Sequence, residues 1–282
     1  MKDFVKVDKL NFLTAGMPLA TNTKFGYEDA FSILEGYGLD GLELEFVRGV
    51  RISDKSKNIV KKFINENKFL VTAHAPFYIN LNSQEEEKTD ASVERIIETA
   101  QTADEVGVYS ITYHAAYYMG NDKEKVYNRV KNQTQRIINA LNGTTRVWIR
   151  PETTGKSTQW GDFEEIIKLS KEFEEVLPCI DFSHIHARTN GAYNTYDEFA
   201  HILDRIGTEL GDFALKNFHA HIAGIEYTAK GERQHLNLEN SDMNYKDLLK
   251  AFKAFGVNGA IVCESPNIEE DAKLLKDYYN SL

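Results

Sequence analysis

The chain has 282 residues, 42% of them hydrophobic and 27% charged, with a net charge of −10. That length fits one α/β barrel or two average domains. No run reaches the roughly 18 apolar residues that span a bilayer, and the opening Met1-Lys2-Asp3-Phe4-Val5-Lys6-Val7-Asp8 carries no apolar signal region, so a cytoplasmic protein with no membrane partner is expected. Cys179 and Cys263 lie inside apolar runs and read as buried thiols, not a disulfide. The acidity argues against a broad basic face for nucleic acid.

Taken in chain order, β-rich apolar runs predict strands over 10–15, 41–46, 69–74, 109–114, 146–152, 177–182, 217–223 and 259–264. Between them apolar residues recur at helical spacing, as in Ala30, Ile33, Leu34 and Tyr37, or Val126, Val130, Ile137, Ile138 and Leu141. Gly36/Gly38, Gly107 and Gly256 stand just before the next strand and read as helix C-caps. Eight such units without a composition break predict a single (β/α)8 TIM barrel over residues 1–282. A doubly wound sheet is the alternative.

In a parallel barrel the chemistry sits where strands end. Six predicted strands end on or beside a side chain able to ligate a metal: His74, His114, Glu152, Asp181 with His184, His221 and Glu264. Any one of these alone reads as an ordinary loop residue. Gathered at one rim without a cation, so many carboxylates would repel one another. Histidine with aspartate and glutamate, and no cysteine, suits zinc, manganese or iron. Strand parity turns Glu43 and Glu45 into the barrel, where Arg150 is expected to pair with them. His219 falls one layer below His221, in a supporting position.

At these residues the chain resembles the endonuclease IV family of apurinic/apyrimidinic (AP) endonucleases. The motifs are His74-Ala75-Pro76-Phe77-Tyr78-Ile79-Asn80-Leu81, Tyr113-His114, Pro151-Glu152-Thr153-Thr154-Gly155, Ile180-Asp181-Phe182-Ser183-His184, His221 with His235, and Cys263-Glu264-Ser265-Pro266-Asn267. Each is weak alone, and their order along nearly the whole chain is specific. The resemblance implies a zinc-dependent hydrolase with two or three zinc ions per chain, manganese being the alternative ion. It implies a monomer acting on double-stranded DNA at abasic sites, cutting the phosphodiester 5′ to the lesion.

Carried onto this sequence, the family pattern makes Glu152 shared between one metal with His74 and His114 and another with Asp181, His221 and Glu264. A third metal takes His184 and His235 with a carboxylate. The catalytic residues it implies are Glu152 and Glu264, and the DNA-contacting residues are Arg48 and Phe77; Arg233, a loop cation, is expected to join them at the DNA. The chain departs from the family at two places. Arg233 occupies the position two before His235, where the family has aspartate, so Glu232 is the nearest carboxylate. Ala115-Ala116 replaces a proline-glycine turn after His114.

Metal charge at the rim, extended by loop cations such as Arg51, Lys55, Lys156, Arg188 and Lys230, would let an acidic protein attract phosphate. Two alternatives stand beside the nuclease. A single-metal sugar isomerase or epimerase of the xylose-isomerase-like barrels would use only Glu152, Asp181, His221 and Glu264. A barrel that only binds DNA or a phosphorylated ligand would need no catalysis.

Overall fold

The computed structural model describes residues 4–282. All eight predicted strands form: β1 (Leu10–Ala15), β2 (Gly41–Glu45), β3 (Leu70–His74), β4 (Ser110–Tyr113), β5 (Trp148–Pro151), β6 (Ile180–Asp181), β7 (Phe218–Ile222) and β8 (Gly259–Cys263). They pair in parallel in the order β5-β4-β3-β2-β1-β8-β7-β6. Two parallel bridges, Ile149–Val176 and Glu152–Cys179, join the outer strands β5 and β6 and close the ring. The Cys179 N–H donates to the Pro151 carbonyl at 3.1 Å along that seam. β6 is shorter than its apolar run because Pro178 has no N–H for the ladder and Asp181 already caps a helix.

Among the described residues ten helices follow the strands: α1 (Tyr27–Tyr37), α2 (Asp54–Asn67), α3 (Glu86–Val106), α4 (Lys123–Leu141), α5 (Phe163–Ser170), α6 (Phe182–Arg188), α7 (Tyr196–Leu210), α8 (Asp212–Leu215), α9 (Tyr245–Ala254) and α10 (Glu269–Ser281). The helical spacing read from the sequence is the buried face: α4 buries Val126, Val130, Ile137, Ile138 and Leu141. Gly38 and Gly107 are C-caps, whereas Gly36 lies inside α1 and Gly256 follows the cap Phe255.

Contacts between non-neighbouring strands identify the barrel interior, which is polar and layered. In the lowest layer Arg150 donates to the carbonyls of Pro178 at 3.0 Å and Asn217 at 2.6 Å, and to Tyr109 Oη at 3.2 Å. The expected pairing of Arg150 with the β2 glutamates is therefore wrong. Its side chain points toward the strand starts, and backbone carbonyls take the place of a carboxylate. Above it, Ser110 Oγ meets His219 Nδ1 at 2.9 Å, and His219 Nε2 lies 3.3 Å from Glu43. The next layer carries the histidines and carboxylates of the mouth.

An antiparallel hairpin, Gly224–Thr228 with Gly231–Leu236, follows β7. Its turn presses on the loop after β5. A Cβ on Gly231, whose φ is +93°, would lie 2.3 Å from the Gly155 carbonyl. A Cβ on Gly155 would lie 2.6 Å from that of Glu232. Only glycine at both positions allows this approach.

Candidate metal centre

Glu152 lies at the C-terminal end of β5, fully enclosed, and is the hub of the mouth. Its Oε2 is 3.3 Å from His74 Nε2, and its Oε1 is 3.1 Å from His114 Nε2, 3.3 Å from His184 Nδ1 and 3.5 Å from His221 Nδ1. Four strand ends thus bring four imidazoles to one carboxylate. Thr112, inward-facing on β4, donates to the same group at 3.3 Å.

Ring orientation is set locally. His74 Nδ1 lies 2.7 Å from the Ala75 carbonyl, which requires a proton on Nδ1 and leaves Nε2 turned to the centre. Asp181 is the N-cap of α6: its Oδ1 accepts from the His184 N–H at 2.7 Å. The Asp-x-x-His spacing is therefore a capping geometry that carries both side chains to the mouth. Its free Oδ2 is 3.1 Å from His184 Nδ1. The carbonyls of Ala75 and Thr153, which orient His74 and His184, are backbone groups with no sequence signature.

Three sets of side chains lie close enough to share an ion: His74, His114 and Glu152; Glu152, Asp181, His221 and Glu264; and Asp181, His184 and His235. The first two are the sets the family pattern groups. In the third, Asp181 stands where Glu232 was expected, and Glu232 Oε2 lies 3.6 Å from His184 Nε2. A β-bulge explains how Glu232 comes so near. The hairpin register pairs Glu226 with Gln234 but Tyr227 with Glu232, so one extra residue is accommodated. The insertion gives Glu232 the parity of His235 and turns Arg233 outward. Arg233 is exposed and ion-paired with Glu226 at 2.7 Å.

The donor chemistry fits a divalent cation. Asp181 Oδ2, His221 Nδ1 and His235 Nε2 are buried and have no hydrogen-bond partner in the protein, an expensive arrangement unless an ion or proton lies between them. The electrostatics agree. Burial opposes charge on His74, but the hydrogen bond and charge of Glu152 outweigh it and push the imidazole up to about 10. Burial likewise opposes charge on His184, which Asp181 and Glu152 hold well above the usual range. Burial raises Asp181 to about 6 despite His184. In Glu264 the charge of His221 overcomes burial and holds the carboxyl down at about 2. Glu45 stands at the solvent-exposed end of β2, where crowding by the protein and the charge of Glu43 raise its carboxyl to about 8. The mutual displacement of these groups is what a cation would relieve.

A fourth group, Cys179, His219 and His221, also lies within ligating distance. Burial pushes the Cys179 thiol up to about 12 in the metal-free protein, and the residue is packed in the core.

The surrounding loops place the remaining predicted residues. Phe77 is exposed and meets Tyr78 edge-on at 5.1 Å. Tyr78 Oη donates to the Arg48 carbonyl at 2.6 Å, tying the loops after β2 and β3 together, and the Arg48 side chain is exposed. Arg188 is not a free loop cation, because its Nη1 serves the carbonyls of Thr154, Lys156 and Gln159. No helix among the described residues is long and apolar enough to cross a membrane.

The chain is 44% identical to the uncharacterized protein MJ0133 of Methanocaldococcus jannaschii, over 97% of this chain and 98% of that one. It is 26% identical to the "Probable endonuclease 4" of Clostridium botulinum, over 58% of this chain and 60% of that protein. Endonuclease IV from Thermus thermophilus superposes with a TM-score of 0.75 at 16% identity, covering 98% of this chain and all of that one. A D-tagatose 3-epimerase-like protein superposes at 0.73 and 18% identity, covering 95% and 97%. The expected TIM barrel and the resemblance to endonuclease IV are both borne out. The family model described as "Xylose isomerase-like TIM barrel" matches residues 31–279, and the chain belongs to that family.

Proposed function

We propose that the protein is a metal-dependent phosphodiesterase that hydrolyses DNA 5′ to abasic sites. The observation that carries this reading is the surplus of imidazoles. His74, His114, His184 and His235 surround the four-residue set of Glu152, Asp181, His221 and Glu264, and a single-metal proton-transfer site has no use for them. They fit two or three divalent ions, zinc by donor type. When bound, those ions supply Lewis acidity toward a phosphodiester and lower the pKa of water.

This chain's own residues do the rest. Glu152, enclosed at the hub, and Glu264, partly open at the mouth, would orient an attacking water. The metal sets would bind phosphate, while Phe77 and Arg48, exposed on neighbouring loops, would fill the gap that an extrahelical nucleotide leaves in the stack. Exposed Phe25, Val47, Phe77, Tyr78, Tyr117 and Met119 on the loops after β1 to β4 give the mouth an apolar rim, suited to sugar and base faces. Glu43, Glu152 and Glu264 gather negative charge at and beneath the mouth. Attraction of phosphate therefore depends on the ions being bound.

The test is incubation of purified protein with an abasic-site duplex, with and without chelator. Chelator-sensitive nicking is expected, and its absence overturns the proposal. The second reading, a single-metal ketose epimerase, draws on the compact set of Glu152, Asp181, His221 and Glu264 and on the epimerase-like structural neighbour. One manganese per chain, with exchange of a substrate carbon-bound proton into solvent, would favour it.

A further inference from the structure

One buried carboxylate of the barrel interior takes no part in the three ligand sets of the mouth. Glu43 lies in the middle of β2, wholly buried one layer beneath Glu152. Its Oε1 is 3.1 Å from His221 Nε2, and its Oε2 is 3.3 Å from His219 Nε2. The ring nitrogens meet the carboxylate off the ideal line, and none of the four atoms makes a well-aligned hydrogen bond among the described residues; the Cys179 thiol also lies beside the two imidazoles. His219 is in turn held at Nδ1 by Ser110 Oγ at 2.9 Å.

The geometry points to Glu43 as a positioning residue that fixes the tautomer of His221 and so selects Nδ1 as its metal-facing atom. This inference rests on the metal-centre reading of the mouth. An ionised carboxylate can only accept hydrogen bonds, so both imidazoles that face it must present N–H at Nε2. With its proton on Nε2, His221 turns the Nδ1 lone pair toward Glu264 Oε1 at 3.4 Å and Glu152 Oε1 at 3.5 Å. A lone pair facing two carboxylates is repulsive unless a proton or a cation stands between them. His219 and Ser110 are the brace: they occupy the second oxygen of Glu43 and stop the carboxylate from rotating away. An outer partner of this kind typically controls metal affinity by about 10- to 100-fold.

The test joins two readouts that do not depend on catalysis. Long-range 1H–15N correlation spectra report which nitrogen of His221 carries the proton, in the metal-free and the zinc-loaded chain. Competition with a chromogenic chelator measures zinc affinity for wild type, Glu43→Leu and Glu43→Gln. A proton on Nε2 of His221 in both states is expected, with zinc held about 10- to 100-fold more weakly by Glu43→Leu. In Glu43→Gln the amide oxygen accepts from one ring while its NH2 must face a lone pair on the other. One of His219 and His221 should therefore switch tautomer, a change that a merely structural role would not produce.

A His221 lacking the Nε2 proton overturns the inference, as does a folded Glu43→Leu protein with wild-type affinity. Should Glu43→Leu fail to fold, the isosteric Glu43→Gln carries the affinity test. Should wild type bind no zinc, the metal-centre reading fails, and the tautomer switch between wild type and Glu43→Gln in metal-free spectra, recorded at a pH where His221 carries a single proton, still decides the role of Glu43.

Discussion

Replacing Glu152 by glutamine removes one charge and almost no volume from the hub of the mouth. Two ligand sets share that carboxylate, so both should weaken together. An amide oxygen is a far poorer ligand than a carboxylate, and a loss of at least about 100-fold is expected, exceeding the effect of removing an outer partner. The same change should alter the metal-free protein through His74. In wild type that imidazole is pushed from 6.5 up to about 10, chiefly by Glu152 acting against burial. A raised histidine pKa contributes stability that is complete below about 6.5 and is lost as pH climbs through about 10. At pH 8 the contribution is up to about 3 kcal/mol, at 1.36 kcal/mol per pH unit below the folded value. Glu45 and Glu43 supply part of it, so Glu152→Gln should lose most but not all. The assay is urea unfolding of chelator-treated protein at pH 6, 8 and 10, with metal per chain measured by mass spectrometry. Two retained metals at wild-type affinity, or equal metal-free stability of wild type and variant at pH 6 and 8, would refute the reasoning.

Three further outcomes follow from the geometry. Glu232→Ala should weaken or empty the ligand set around His184 and His235, whereas Arg233→Ala should leave metal content unchanged, because the bulge turns Arg233 toward Glu226; equal effects would mean the bulge does not sort the two residues. Gly155→Ala sets a methyl 2.6 Å from the Glu232 Cβ and 3.0 Å from His184 Cδ2, so it should push the hairpin away and cost about 1–3 kcal/mol, read by thermal melting and metal content; a wild-type melt would count against the close approach. Metal binding requires neutral imidazoles, while the carboxylates keep His74 and His184 protonated above their usual range against the effect of burial. Affinity should therefore rise from pH 6 to pH 9 with proton release, visible by calorimetry in two buffers of different ionisation enthalpy. A pH-independent affinity would contradict it.

The barrel was legible in the sequence because it is local: apolar β-rich runs, helical spacing and strand ends need only short-range patterning. The ligand-bearing residues were legible for the same reason, since His74, Glu152, Asp181, His221 and Glu264 end or cap strands that the pattern already locates. The sequence could not decide where Arg150 turns. Parity assigned it the inward face, but the layer it occupies depends on the stagger of neighbouring strands, and it went to the carbonyls of Pro178 and Asn217. Nor could the sequence tell that Glu232 reaches His184 while Arg233 does not. That choice follows from one extra residue in a hairpin, pressed against Gly155 by packing that joins segments far apart in the chain. By itself, then, the sequence determined which residues stand at the mouth. Only the tertiary structure decided which atoms face one another, because side-chain direction is set by strand stagger, a bulge and a few backbone carbonyls that no residue letter records.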